Sequence, residues 1–170
     1  MSRFRKLPLL CTIIAAIGAS AVNADAQSKM AKPPAMSEPL TSKELVNLYG
    51  NHSWIWKDGA GYFAVKRREF KAWTGEGKGS YGAGHWFATN PGKLCFKAVW
   101  YAKTGKAPAL TCFSHRKKGK TIFQKREPNG DWYAFKTSPT SASDEYRKVQ
   151  PGDYATSRFD RMQMKLSPTR

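Results

Sequence analysis

The sequence predicts a mainly β protein, a small antiparallel barrel or sandwich built as a meander, with one short helix near its N-terminal end. Three observations predict it. From Ser53 onward, aromatic and aliphatic residues alternate with polar ones at the period of two that strands show. Turn signals recur at short spacing, among them Asp58-Gly59, Asn90-Pro91-Gly92, Thr104-Gly105 and Pro128-Asn129-Gly130. One segment, Thr41 to Gly50, carries the punctuation of a helix.

Taken in order, residues 1–26 read as a signal peptide: Arg3, Arg5 and Lys6 form a basic head, Leu7 to Ala16 an apolar middle, and Ala24-Asp25-Ala26 a small-x-small cleavage site. The apolar run is shorter than the roughly 20 residues a spanning helix needs, and no later segment approaches that length, so the mature chain is expected to have no transmembrane segment. Cleavage near Ala26 leaves 144 of the 170 residues, enough for one domain with its own core. Residues 27–39, with Pro33, Pro34 and Pro39, read as a flexible leader.

Residues 40–153 read as a single β-rich domain. It opens on the helix, with Thr41 as N-cap, Glu44 completing a capping box, Leu40 and Leu45 as a hydrophobic staple, and Gly50 as the stop. Trp54 and Trp56 then alternate with Ser53, Ile55 and Lys57. The stretch Tyr62 to Trp73 makes two short strands joined at Lys66–Glu69, or one bent strand. Thr74 to Gly84 is glycine-rich and reads as a break, with a strand resuming at His85. Leu94, Phe96, Ala98 and Trp100 share one face of the next strand, and Cys95, Lys97, Val99 and Tyr101 the other. Setting Cys95 opposite Cys112 places the reversal at Ala102 to Gly105 and requires Pro108 to lie on an edge or a bulge, because it cannot donate a ladder hydrogen bond. Strands near Leu110–His115, Thr121–Arg126 and Trp132–Phe135 complete a meander of about seven. Residues 154–170 read as a closing strand or tail, with a short helix as the alternative.

The formal charge is +17 for the whole chain and +15 once the three basic residues and Asp25 of the leader are gone. A small domain needs a net charge of only about 2–8 to stay soluble, so the surplus points to a polyanionic partner. In the cytoplasm that partner would be nucleic acid. For an exported chain, periplasmic or extracellular, no nucleic acid is expected, and anionic glycans or lipid head groups come first. Two cysteines, Cys95 and Cys112, remain after cleavage; in an oxidising compartment an even count predicts a disulfide, and their wide spacing does not suit a metal or redox site.

The string Trp54-x-Trp56-x-x-Gly59, Gly61-Tyr62-Phe63, Lys71-Ala72-Trp73-Thr74-Gly75, Gly84-x-Trp86, Leu94-Cys95-Phe96, Trp100 and Thr111-Cys112-Phe113 resembles a family of small secreted proteins of rhizobial-type Gram-negative bacteria, a domain of unknown function. The resemblance covers roughly residues 40–153. It implies a periplasmic or envelope setting and brings no catalytic residue, cofactor or substrate. A likeness to lipocalin-type calyx barrels rests on architecture alone and does not fix function.

The chemistry-bearing residues give little support to catalysis. His52, His85 and His115 make no metal-ligand spacing, although His85 and His115 could meet across a sheet. Glu69 and Glu76 are the only carboxylates considered as an acid–base pair, and their lysine and glycine neighbours favour a solvated reading. Gly75-x-Gly77-x-Gly79 lacks the strand-to-helix context of a dinucleotide site. No enzyme activity, cofactor or metal is therefore expected. The stronger candidates are two basic turns, Lys66, Arg67 and Arg68, and Arg116, Lys117, Lys118 and Lys120, with Trp73 beside the glycine loop as an exposed stacking surface. The leading expectation is a non-enzymatic envelope protein that binds anionic polymer, such as acidic exopolysaccharide or lipopolysaccharide, through these turns. The alternative is a small calyx-type carrier of an apolar ligand, in which aromatic residues line a pocket.

Overall fold

The computed structural model describes residues 29–75 and 79–167. The expected signal peptide, Glu76 and Gly77 lie outside the described residues. The chain forms β1 (Glu38–Pro39), α1 (Ser42–Tyr49), β2 (His52–Trp56), β3 (Gly59–Phe63), a single 3-10 turn (Lys66–Arg68), β4 (Glu69–Thr74), β5 (Ser80–Thr89), β6 (Lys93–Ala102), β7 (Gly105–Lys118), β8 (Thr121–Arg126), β9 (Tyr133–Lys136), a second 3-10 turn (Glu145–Lys148), β10 (Val149–Pro151) and α2 (Thr156–Leu166). The strands make one antiparallel sheet in the order β10-β2-β3-β4-β5-β6-β7-β8-β9, with β1 added beside the end of β7. The sheet curls into a half-barrel, and the second 3-10 turn packs between β9, β10 and β2, where the two edges approach.

The helix forms where its signals stand. Thr41 Oγ1 accepts from Glu44 N, the Glu44 carboxylate accepts from Thr41 N, and Leu40 and Leu45 are both buried. Gly50 ends the helix because backbone comes close: a Cβ there would stand 2.6 Å from Val46 O and 2.7 Å from Val65 Cγ2. The left-handed residue is Asn51 (φ 56), whose Oδ1 accepts from Val65 N at 2.9 Å and ties α1 to the β3–β4 connection.

Register follows side-chain alternation. Cys95 pairs with Cys112 and Ala102 with Gly105, so the reversal falls at Lys103-Thr104, as the sequence predicts. The cysteines are bonded across a Cα–Cα distance of 4.1 Å. A disulfide-bonded fold of this kind is compatible with an extracellular location. Pro108 sits on an edge: β8 pairs only with Phe113 to Lys118, which leaves the first half of β7 unpaired on that side. His115 directs its N–H and C=O toward Gly92 and Leu40, so in this unbroken ladder odd-numbered residues of β7 bond on the β6 side and even-numbered ones face the open edge. The missing N–H of Pro108 is therefore on the free side.

Four expectations change. Where seven strands were expected there are ten, because the stretch Tyr62–Trp73 splits in two and the short β1 and β10 add at the margins. Thr74–Gly84 is not a continuous break: β5 begins at Ser80 and carries Gly82 and Gly84 within it. The leader is held from Met30 onward: Met30 exchanges backbone hydrogen bonds with Trp132, and Glu38–Pro39 pairs with Lys117 and Arg116. The closing strand expected within 154–170 is instead α2. Asp153 Oδ1 accepts from Ala155 N and Thr156 N at its start, and Phe159, Met162 and Leu166 fall on one helical face against Tyr81 and Tyr101, while Met164, which had lent the segment a period of two, is 71% exposed.

Among the described residues no helix is long and apolar enough to cross a membrane.

Candidate functional site

The meander alternates direction, so the β3–β4, β5–β6 and β7–β8 connections lie at one end of the half-barrel and the β2–β3, β4–β5, β6–β7 and β8–β9 connections at the other. Helix α1 closes the first end. Ser42 N donates to Asn90 Oδ1 of the β5–β6 turn, and Tyr49 points inward, its ring 5.8 Å from Trp54 and 5.6 Å from Phe63.

Beneath α1 lies a buried polar group of four. Tyr49 Oη and Gln124 Nε2 each stand 2.8 Å from His115 Nε2, Gln124 Nε2 also donates to Tyr49 Oη at 2.8 Å, and Tyr133 Oη donates to Gln124 Oε1. With two donors facing it, Nε2 is the acceptor, which assigns the proton of the neutral ring to Nδ1. Burial pushes the His115 pKa down to about 4, so the ring is neutral at pH 7. Burial likewise raises the pKa of Tyr49 and Tyr133.

Toward the opposite end the interior opens. A cavity of about 330 Å³ is lined by Trp54, Trp56, Phe63, Phe70, Phe96, Trp100, Thr111 and Phe113, with Arg126 and Glu145 at its rim. The inward positions of the central strands are small, which lets the wall rings lie close against the sheet. Gly61, Ala72, Gly82 and Ala98 share the inner face with the aromatic rings, and a Cβ on Gly82 would stand 2.9 Å from the Trp100 indole. The rings fill part of that volume by packing on one another, Phe70 stacking on Phe96 at 4.4 Å and Trp54 tilting against Phe113 at 4.9 Å. Glu145 is held from two sides: Trp54 Nε1 donates to its Oε1 at 3.2 Å, and Lys148 Nζ is 2.7 Å from its Oε2. Arg126, opposite Phe113 in the ladder and exposed, forms no ion pair among the described residues.

The sequence-predicted residues fall in three places. Lys66, Arg67 and Arg68 of one basic turn and Arg116, Lys117, Lys118 and Lys120 of the other share the α1 end of the sheet, with the Asn90-Pro91-Gly92 turn between them. Four of these seven serve the fold. Arg67 pairs with Glu69 at 2.6 Å, and Arg68 stacks 4.5 Å over Trp86, which holds both residues in left-handed backbone (φ 53 and 55). Arg116 donates through Nε to Ser37 Oγ at 2.9 Å and through Nη2 to Ser37 O. Lys117 bridges Glu44 at 2.7 Å and Glu38 at 3.4 Å; this lysine, with the Thr41 backbone N–H, lowers the Glu44 pKa to about 2. Lys66, Lys118 and Lys120 are exposed. Trp73 is not the exposed platform expected. It points to the outer face, is only 8% accessible, and lies under Arg158 of α2 at 4.7 Å, because the helix that covers it was read as a strand.

Glu69 is tied to Arg67, and Glu76 lies outside the described residues. His85 faces outward beside Lys97 while His115 is buried inside, so the sheet separates them. Among the described residues no group of three or more His, Cys, Asp or Glu side chains could hold a metal ion. Sequence reasoning missed Arg126 and Glu145 as pocket residues. The signal for Arg126 was its alternation with Ile122 and Gln124 once Cys95 fixes the register of β7; Glu145 carried none, since it comes from an irregular segment.

A search of curated proteins and a search of solved structures each returned no match to the chain. The model of one family matches residues 14–155, most of the length and the whole sheet, and the chain belongs to that family, DUF995, described as a protein of unknown function.

Proposed function

We propose that this protein is a non-enzymatic, exported carrier that takes a small apolar ligand into the open end of its half-barrel. One observation carries the reading: an aromatic-walled cavity of about 330 Å³ at the end opposite α1, within the range of small-molecule sites. Burying apolar surface in such a pocket supplies the affinity, and the rim charges orient the ligand. Export is supported by the basic head, apolar run and Ala24-Asp25-Ala26 of the leader, and by the Cys95–Cys112 bond.

The test is titration with the neutral fluorophore N-phenyl-1-naphthylamine, following its emission and the quenching of Trp54, Trp56 and Trp100. Micromolar binding that Thr111→Trp weakens by about tenfold or more, in a variant with an unchanged near-UV circular dichroism spectrum, is the expected result. Absence of binding, or binding indifferent to Thr111→Trp, overturns the reading.

A second reading, binding of anionic polymer in the cell envelope, is favoured by one specific observation: the two basic turns project from the same end of the sheet, about 19 Å apart along it at four strand spacings. It ranks second because Arg67, Arg68, Arg116 and Lys117 are already partnered within the fold.

A further inference from the structure

We infer that the ligand of the half-barrel is an acidic amphiphile, an apolar chain or ring system ending in a carboxylate, with its body among the aromatic rings and its head group on Arg126. The inference rests on the calyx reading and narrows it. Two ionised side chains stand at the rim of the cavity, and they are not equivalent. Glu145 has both carboxylate oxygens engaged, one by Trp54 Nε1 and one by Lys148, so its charge is answered inside the protein. Arg126 has no such answer among the described residues. The carboxylate next to it in sequence, Glu127, is turned away to Lys125 at 3.4 Å and to the Ser114 hydroxyl.

The placement is fixed by the sheet. Ile122, Gln124 and Arg126 alternate on the inner face of β8, where Ile122 packs on the core and Gln124 is fully buried against Tyr49 and His115. Arg126 is the third inward position, one step beyond the buried group and level with Phe113. Arg126 lines the aromatic cavity and is itself exposed, which suits a long side chain that presents charge at the edge of an apolar space. A guanidinium offers two parallel donors that match a carboxylate, which favours a carboxylate over a neutral or cationic head. Lys57, Lys103 and Lys106, exposed at the same end, add a positive field that draws such a ligand to the opening.

The test compares decanoate with 1-decanol at pH 8, two ligands with the same chain and different heads, by displacement of N-phenyl-1-naphthylamine from the full mature chain. Decanoate is expected to bind about tenfold or more tightly than decanol, the worth of one charge-assisted pair. Arg126→Met should erase that preference, and Arg126→Glu should reverse it. Lys43→Met, which removes the same charge from α1 at the closed end, should leave it intact and so separates a contact from the general field. Equal binding of the two ligands, or a preference that survives Arg126→Met, overturns this inference while leaving the calyx standing. Failure of both ligands and the fluorophore to bind overturns the calyx reading itself.

Discussion

A neutral histidine at the closed end of the sheet couples the fold to acidity. His115 accepts at Nε2 from Tyr49 and Gln124, and a proton placed there would set N–H against donors at a fully buried position. In the unfolded chain the ring takes its proton near pH 6.5; in the folded protein it does so only near pH 4. The unfolded state therefore binds more protons between those values, and stability falls as the pH drops through that window, by up to about 3 kcal/mol. Urea unfolding at intervals from pH 7 to pH 4.5 should show this loss, and His115→Gln, although less stable at pH 7, should flatten the slope. An unchanged slope in that variant would mean that other groups govern the acid limb. The Glu44 carboxylate acts in a separate range: its pKa, lowered to about 2 by Lys117 and the Thr41 backbone, gives stability that is present above the ordinary carboxylate range and is lost below it.

The long strand β7 is the element that both completes the sheet and endangers it. Residues Gly105 to Thr111 pair with β6 on one side and, among the described residues, with no strand on the other, and an edge of that length invites a strand from another molecule. Pro108 answers the risk, since the position facing outward at the middle of the free edge has a ring in place of its N–H. Pro108→Thr restores the donor and gives a better strand former, so sedimentation velocity should show concentration-dependent self-association absent from the parent; a monomer at all concentrations would remove this role from Pro108. That Pro108 lies on an edge was legible from the sequence, because two cysteines fixed the register and a proline has one reason to sit in such a ladder. The two faces of β6 were legible for the same reason, since Leu94, Phe96, Ala98 and Trp100 form one unbroken apolar set at a period of two. The start of β5 was not. Gly82 and Gly84 read as turn-formers, whereas the structure uses them as space: the Trp100 ring occupies the volume over Gly82, and backbone of Lys97 stands 2.0 Å from where a Cβ on Gly84 would be. The partner that makes a glycine necessary is distant in sequence, and no local pattern announces it. The cavity was illegible too, because its wall is assembled from single residues of several strands and an irregular segment.

At the scale of the whole molecule, the sheet carries apolar layers on both faces, and they do different work. The inner layer joins α1, Trp54, Phe63, Phe70, Trp86 and Phe135 into the main core and borders the cavity. The outer layer is smaller: α2 lays Phe159 and Met162 on Tyr81, beside Trp73 and Ala60. An enclosed core on one side only would leave Trp73 and Tyr81 in water, which is why a helix, and not a further strand at the sheet margin, completes the fold. Phe159 and Met162 of the outer layer do not line the cavity, so damage to them should reach stability and spare the cavity. Phe159 is 4% exposed and meets Tyr81 edge-on at 5.2 Å. Its replacement by alanine removes a buried ring and should cost about 3 to 4 kcal/mol in urea unfolding. The affinity of the folded variant for N-phenyl-1-naphthylamine should stay within about twofold of the parent, since Phe159 packs on Tyr81 and does not line the cavity. A large fall in stability together with a large fall in affinity would show instead that α2 shapes the half-barrel through the sheet, and the opening would then have to be treated as one cooperative unit with the helix behind it.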